Sequence, residues 1–273
     1  MKRIFGVNHW LVIALLGFPL TSLSTEYISS NGFPLLTQIE TDKTSIVIGE
    51  PSYITVRLSN SGSEPIAVPG MLEWQSTTLR LMITAPDGRA IPYSSLFFAD
   101  LSIPERSLAA GEQIEQVLPI FFGAGGWSFQ QPGTYKLKLS FNQNSRIGAT
   151  AHQSNQLSIV VTEEVGASAL LVNDSKSSAE AGKFLFWQQG DHLKGGIENL
   201  NRLVEHYPDS ILANYSRFAL ARNLSRSFRN YTIGELRKAD CQGALELFRH
   251  VQRSLLPANL AKKMDQDQSR CSL

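Results

Sequence analysis

The chain of 273 residues contains two cysteines, Cys241 and Cys271, and their chemistry is the first question the sequence raises. Two distant thiols supply too few ligands for a structural zinc site, which takes four. In an oxidising compartment they would instead be joined, and closing a loop of this size stabilises by about 3–4 kcal/mol in the chain-entropy model. The sequence therefore predicts a Cys241–Cys271 disulfide. Beyond the first residues the histidines are His152, His192, His206 and His250. None belongs to an H-E-x-x-H arrangement, and Asp191-His192 reads as a helix cap and its neighbour. No G-x-S-x-G elbow occurs. Gly123-Ala124-Gly125-Gly126-Trp127 lacks the Lys and following Ser/Thr of a phosphate loop, and reads as a flexible loop before Phe129. No catalytic, cofactor-binding or metal-ligating set emerges, so the expectation is a non-enzymatic protein without a cofactor.

Binding is the remaining chemistry. Arg222, Arg226 and Arg229 follow i, i+4, i+7 spacing and predict a basic stripe along one helix, with Tyr215 a turn or two earlier as a possible contact. Phe97 and Phe98 lie in Leu96–Ile103, where consecutive apolar residues break strand alternation; the segment reads as a buried loop or strand, or as an exposed recognition patch. Residues 25–175 carry 8 Lys+Arg against 14 Asp+Glu, whereas residues 176–273 carry 15 against 10. That asymmetry predicts two units with different surfaces. Nucleic acid is not an expected partner, because no aromatic platform accompanies the arginines. Sequons begin at Asn173, Asn214, Asn223 and Asn230, two of them inside a predicted helix, and are read as chance occurrences.

The start of the chain places Lys2 and Arg3 before an apolar run from Trp10 to Leu20, then Ser22-Leu23-Ser24. Such a run is shorter than the ~20 residues a spanning helix needs, and it reads as a signal peptide, residues 1–24, followed by a lead segment, 25–33. The expected location is the periplasm or the secreted space, with no stable membrane span once the signal is removed.

These candidate residues must be positioned by two kinds of element. From residue 34 to 164 short alternating runs are separated by turn clusters. Ser52–Asn60 puts Ile54, Val56 and Leu58 on one face, and Gly133–Phe141 puts Tyr135, Leu137, Leu139 and Phe141 on another. Further strands are predicted at Leu79–Thr84, Gln116–Phe122 and Leu157–Val161. Roughly seven strands without helix argue for an antiparallel sandwich. The ordered set Gly49-Glu50-Pro51, Val56-Arg57-Leu58-Ser59-Asn60, Pro86-Asp87-Gly88, Ala110-Gly111-Glu112 and Pro132-Gly133-Thr134-Tyr135 resembles immunoglobulin-like domains of secreted and surface bacterial proteins.

Residues 165–178 read as a polar linker, and residues 179–273 as a helical domain. Helices are predicted over Ala179–Trp187, His192–His206, Ser210–Phe228 and Cys241–Leu255. Tyr207-Pro208-Asp209-Ser210, followed by Ala213, Tyr215, Ala219, Leu220 and Ala221, resembles tetratricopeptide-like repeats of exported bacterial proteins; Gly243–Phe248 begins an imperfect second unit. The resemblance implies an all-α helical-hairpin domain that binds proteins or peptides. The expected whole is an all-β immunoglobulin-like sandwich plus this domain, acting as an exported protein-interaction or envelope-assembly module. The alternative is an inhibitor or regulator of a secreted hydrolase.

Overall fold

Alternation of apolar and polar residues decides the first half of the computed structural model, which describes residues 34–74, 78–96, 103–142, 151–173, 175–231 and 233–272. The expected signal peptide, the lead segment, and Phe97 and Phe98 lie outside the described residues. The strands are β1 (Leu35–Glu40), β2 (Ser45–Val47), β3 (Tyr53–Asn60), β4 (Ile66–Pro69), β5 (Leu79–Thr84) and β6 (Ala90–Pro92). They continue with β7 (Glu105–Leu108), β8 (Gln113–Pro119), β9 (Phe122–Gly123), β10 (Gly126–Trp127), β11 (Gly133–Asn142) and β12 (Ala151–Thr162). One sheet has the order β1-β3-β8 and a second the order β2-β12-β11-β5-β6; among the described residues only the β2–β12 pair is parallel.

The two sheets share one core. Ile39, Ile54, Val56 and Leu58 from the first meet Leu81, Ile83, Leu137, Leu139, Phe141 and Ile159 from the second. Complete burial of such a side chain contributes about 1.5–3 kcal/mol, so the period-two pattern fixes which face points inward. The Asn155 side chain ties the sheets at one margin, accepting from Ile39 N at 2.9 Å and donating to Ile39 O at 3.0 Å.

Two local expectations change here. The predicted strand Gln116–Phe122 breaks after Pro119, and Phe122 pairs instead with Trp127. The supposedly flexible Gly123–Trp127 loop is therefore a tight β9–β10 ribbon with Phe122 and Trp127 buried.

The second half contains α1 (Ala167–Val172), α2 (Ser175–Trp187), α3 (Lys194–His206) and α4 (Ile211–Leu224). A hairpin follows, β13 (Phe228–Asn230) and β14 (Glu235–Arg237), then α5 (Cys241–Arg249), a 3₁₀ turn at Arg253–Leu255 and α6 (Ala258–Cys271). Helices neighbouring in sequence pack on one another. Ser210 caps α4 as its sequence position suggests, accepting from Ala213 N at 3.0 Å. Asp191 does not cap α3, which begins after Leu193. The predicted helix Cys241–Leu255 stops at Arg249, and α6 and the hairpin were not predicted at all.

Within the expected linker 165–178, Ala167–Val172 form a docked helix, α1, and α2 begins at Ser175. Ala167, Ser168 and Leu171 of α1 are buried, and Ser168 Oγ donates to Ile48 O at 3.0 Å. A second core joins sheet and helices: Tyr53, Phe121, Phe122 and Trp127 pack with Phe184, Tyr215 and Phe218. Trp127 Nε1 donates to Ser178 Oγ at 2.8 Å inside it. Gly182 makes the approach possible, since a Cβ there would lie 2.2 Å from the Phe122 ring. The described residues accordingly fall in one compact unit. Cys241 and Cys271 are joined as expected, with Cα atoms 5.0 Å apart, closing α5 against the end of α6.

Candidate partner-binding surface

The predicted basic stripe does not form an exposed face. α4 is buried on nearly every side, between its helical neighbours and the sheet residues of the second core. Arg222 is 5% exposed and Tyr215 1%. Arg222 Nε donates to Asp267 Oδ2 at 2.7 Å, and its Nη1 donates to Gln188 Oε1. Burial, partly offset by Asp267, holds the Arg222 guanidinium below the usual arginine range. Arg226 Nη2 reaches the same carboxylate at 3.0 Å. Gln188 is the one non-glycine with positive φ among the described residues, at +57°, and its side chain links Arg222 to the Tyr53 hydroxyl. Tyr215 is likewise an internal tie: Lys43 Nζ donates to its hydroxyl at 3.2 Å and to Glu50 Oε1 at 2.6 Å. Burial, then the Glu50 charge, pushes that hydroxyl well above the usual tyrosine range. The helix predicted to run to Phe228 ends at Leu224, so Arg226 lies beyond it; Arg222 and Arg226 nevertheless meet at Asp267 of α6, which helical spacing could not foresee.

Arg229 leaves the helix and lies exposed on β13, opposite Leu236 of β14. This hairpin is the surface that sequence reasoning missed. Its register pairs Phe228 with Arg237 and Asn230 with Glu235, and Gly234 closes the turn at φ +72°. The base is held firmly. Arg237 Nε donates to Asp191 Oδ2 at 2.6 Å and Arg237 Nη2 to Asn223 O at 2.7 Å, while His192 stacks on Phe228 at 5.9 Å. The tip is bare: Tyr231 is 87% exposed, Ile233 61% and Leu236 52%. Three large apolar side chains in water on one short ribbon form an unusual concentration for a soluble surface, where scattered single ones are ordinary. The available sequence signal was Asn230-Tyr231 and Ile233-Gly234, alternating residues with a turn glycine, hidden by prolonging the preceding helix.

Two of the four sequon asparagines have structural roles. Asn214 accepts from Gln252 N at 2.7 Å and donates to Gln252 O at 3.2 Å, pinning the segment after α5. Asn223 accepts from Gly190 N at 3.1 Å and donates to Asp191 at 2.7 Å.

A hollow of about 450 Å³ lies between β5–β6 and the β9–β10 ribbon, lined in part by Arg89, Tyr93, Trp127, Gln130 and Tyr135. Four of its polar side chains are engaged within the protein. Tyr93 Oη donates to Phe122 O at 2.8 Å, Tyr135 Oη to Gln131 O at 3.1 Å, Gln130 Nε2 to Trp127 O at 2.8 Å, and Arg89 pairs with Asp87. Among the described residues, no three His, Cys, Asp or Glu side chains are grouped to hold a metal, and no helix is long and apolar enough to cross a membrane.

No family model and no curated protein matches the chain. Solved structures similar to part of it include the CARDB domain of the PF1109 protein from Pyrococcus furiosus, 16% identical, covering 50% of this chain and 100% of that one at a TM-score of 0.28. The C-terminal domain of wzt is 12% identical over 49% of this chain and 76% of its own, at 0.31. The sporulation control protein Spo0M from Bacillus subtilis is 9% identical over 51% and 54%, at 0.29. These are distant likenesses of about half the chain, and no activity is transferred from them.

Proposed function

We propose that this is an exported, non-enzymatic protein-interaction module whose docking element is the β13–β14 hairpin. The observation that carries the reading is the combination of a braced base with an exposed Tyr231, Ile233 and Leu236 tip beside Arg229. Tyrosine and arginine are among the residue types enriched at protein interfaces, and Ile233 and Leu236 add apolar area beside them. A ribbon already ordered loses little conformational entropy on docking. The Cys241–Cys271 disulfide and the charged, then apolar, start of the sequence support export. An immunoglobulin-like reading of the β half and a tetratricopeptide-like reading of the helices belong to the same proposal. Two facing sheets support the former, and helices packed in chain order the latter. The inhibitor reading rests on Leu96–Ile103, most of which lies outside the described residues, and gains no support.

The experiment is site-specific photocrosslinking in intact cells, with the crosslinker at Tyr231, Leu236 and, as a control on the exposed face of β11, Lys138. The reading expects one protein adduct of the same identity from Tyr231 and Leu236, absent from Lys138 and competed by unlabelled wild type but not by a folded Tyr231→Ser/Ile233→Ser variant. Absence of a shared adduct, or equal competition by that variant, overturns it.

A further inference from the structure

The cluster around Asp267 contains more positive charge than its carboxylate neutralises. Asp267 is wholly buried and accepts from Arg222 Nε at 2.7 Å, Arg226 Nη2 at 3.0 Å and Arg270 Nη1 at 2.8 Å. Lys263 is the fourth cation. With Asp267 and Arg270 it occupies i, i+4, i+7 on α6, one face of the helix. Its ammonium forms no hydrogen bond or ion pair among the described residues, and the charges acting on it are those of Arg222, Arg226 and Asp267. Burial, reinforced by the two guanidiniums, holds it below the usual lysine range. Among the described residues, four cations thus face one carboxylate, a surplus of three positive charges.

The cluster has a closed end and an open end. Inward, Arg222 is satisfied by Gln188 and Asp267. Outward, the Arg226 and Arg270 side chains are 37% and 53% exposed, so solutes can reach them. A guanidinium has five N–H donors in a fixed fork, and those two engage Asp267 with only some of theirs. Like charges held together in a partly dehydrated site repel more strongly than they do in water. A dianion bound there would remove most of that repulsion, whereas a single carboxylate would leave two unbalanced charges.

We infer that Arg226, Lys263 and Arg270 form a binding site for a phosphoryl group, with Asp267 orienting the two guanidiniums from beneath. Arginine forks and a lysine point charge are complementary to phosphate oxygens. The group can belong to a free or small-molecule phosphate, or to the headgroup of an anionic phospholipid. This inference is independent of the hairpin proposal.

Full-length mature protein is titrated with inorganic phosphate by calorimetry, and separately floated with phosphatidylcholine vesicles with and without phosphatidylglycerol. Lys263→Gln and Arg270→Gln remove cations while leaving the buried Arg222–Asp267 pair in place; the denaturation midpoint of each variant verifies folding. Lys263→Arg keeps the charge, and Arg229→Gln alters the hairpin alone. Saturable phosphate binding should weaken about tenfold for each cation removed, persist in Lys263→Arg and be unchanged in Arg229→Gln. If the source is a headgroup, flotation with phosphatidylglycerol follows the same pattern of variants and does not occur with phosphatidylcholine alone. Saturable binding of neither probe, or equal binding by the folded Lys263→Gln/Arg270→Gln protein, overturns the inference.

Discussion

Replacing Asp267 by Asn removes a carboxylate that is 0% exposed and shared by three guanidiniums, while preserving its shape. The decisive partner is Arg222, whose side chain is only 6% exposed, so that little water can replace the lost oxygen. Breaking a buried pair in this way leaves an uncompensated charge and costs about 3–5 kcal/mol. Against a total stability of about 5–15 kcal/mol for an ordinary domain, that is a large fraction. For a protein of this size it corresponds to a fall in Tm of about 6–20 °C. The assay is urea denaturation followed by far-ultraviolet circular dichroism, comparing midpoints and slopes for Asp267→Asn, Arg222→Met and the pair Arg222→Met/Asp267→Leu. The double variant should be more stable than the additive sum of the singles, because an apolar pair leaves neither charge stranded. Arg229→Glu, on the exposed hairpin, should leave the midpoint in place. A loss below about 1 kcal/mol for Asp267→Asn, where a buried charge should be stranded, would refute the reasoning.

Cys241→Ser/Cys271→Ser should lower stability by about 3–4 kcal/mol for the loop it opens, and reductant should lower the wild-type midpoint but not the variant's. Gly182→Ala, which drives a Cβ to 2.2 Å from the Phe122 ring, should cost about 1–3 kcal/mol by overpacking, measured by the same denaturation; a neutral result would mean that α2 sits further from β9. Limited proteolysis of the folded protein should spare residues 165–173, because α1 is docked; early cleavage there would restore an exposed hinge. Burial depresses the His152 pKa below its usual 6.5, so the unfolded chain takes up that proton first. Its contribution to stability is therefore full above about 6.5 and is lost as pH falls through the folded-state value. His152→Gln should flatten that part of the stability–pH curve.

Local pattern was enough wherever one residue's environment depends on its immediate neighbours. Alternation in Ser52–Asn60 and Gly133–Phe141 identified the inward faces of β3 and β11, since a strand with one buried face admits one register. Tyr207-Pro208-Asp209-Ser210 marked the stop of α3 and the cap of α4 for equally local reasons, a missing N–H and a side-chain acceptor. Two cysteines in one chain left a single intramolecular pairing to consider. The candidate surface was far less legible. Arg222, Arg226 and Tyr215 look solvent-facing in one dimension because arginine and tyrosine serve equally at a wet surface or in a paired interior, and the carboxylate that buries Arg222 is 45 residues away. The segment 165–178 resembled a linker because of its polar end, Asn173-Asp174-Ser175-Lys176-Ser177-Ser178; Leu171 just before it nevertheless settles against Gly49, far away in sequence. The exposure of Tyr231, Ile233 and Leu236 was also decided in three dimensions. Nothing in their composition separates an apolar residue that finds a core from one left in water, and only the packing of the finished fold leaves that hairpin uncovered.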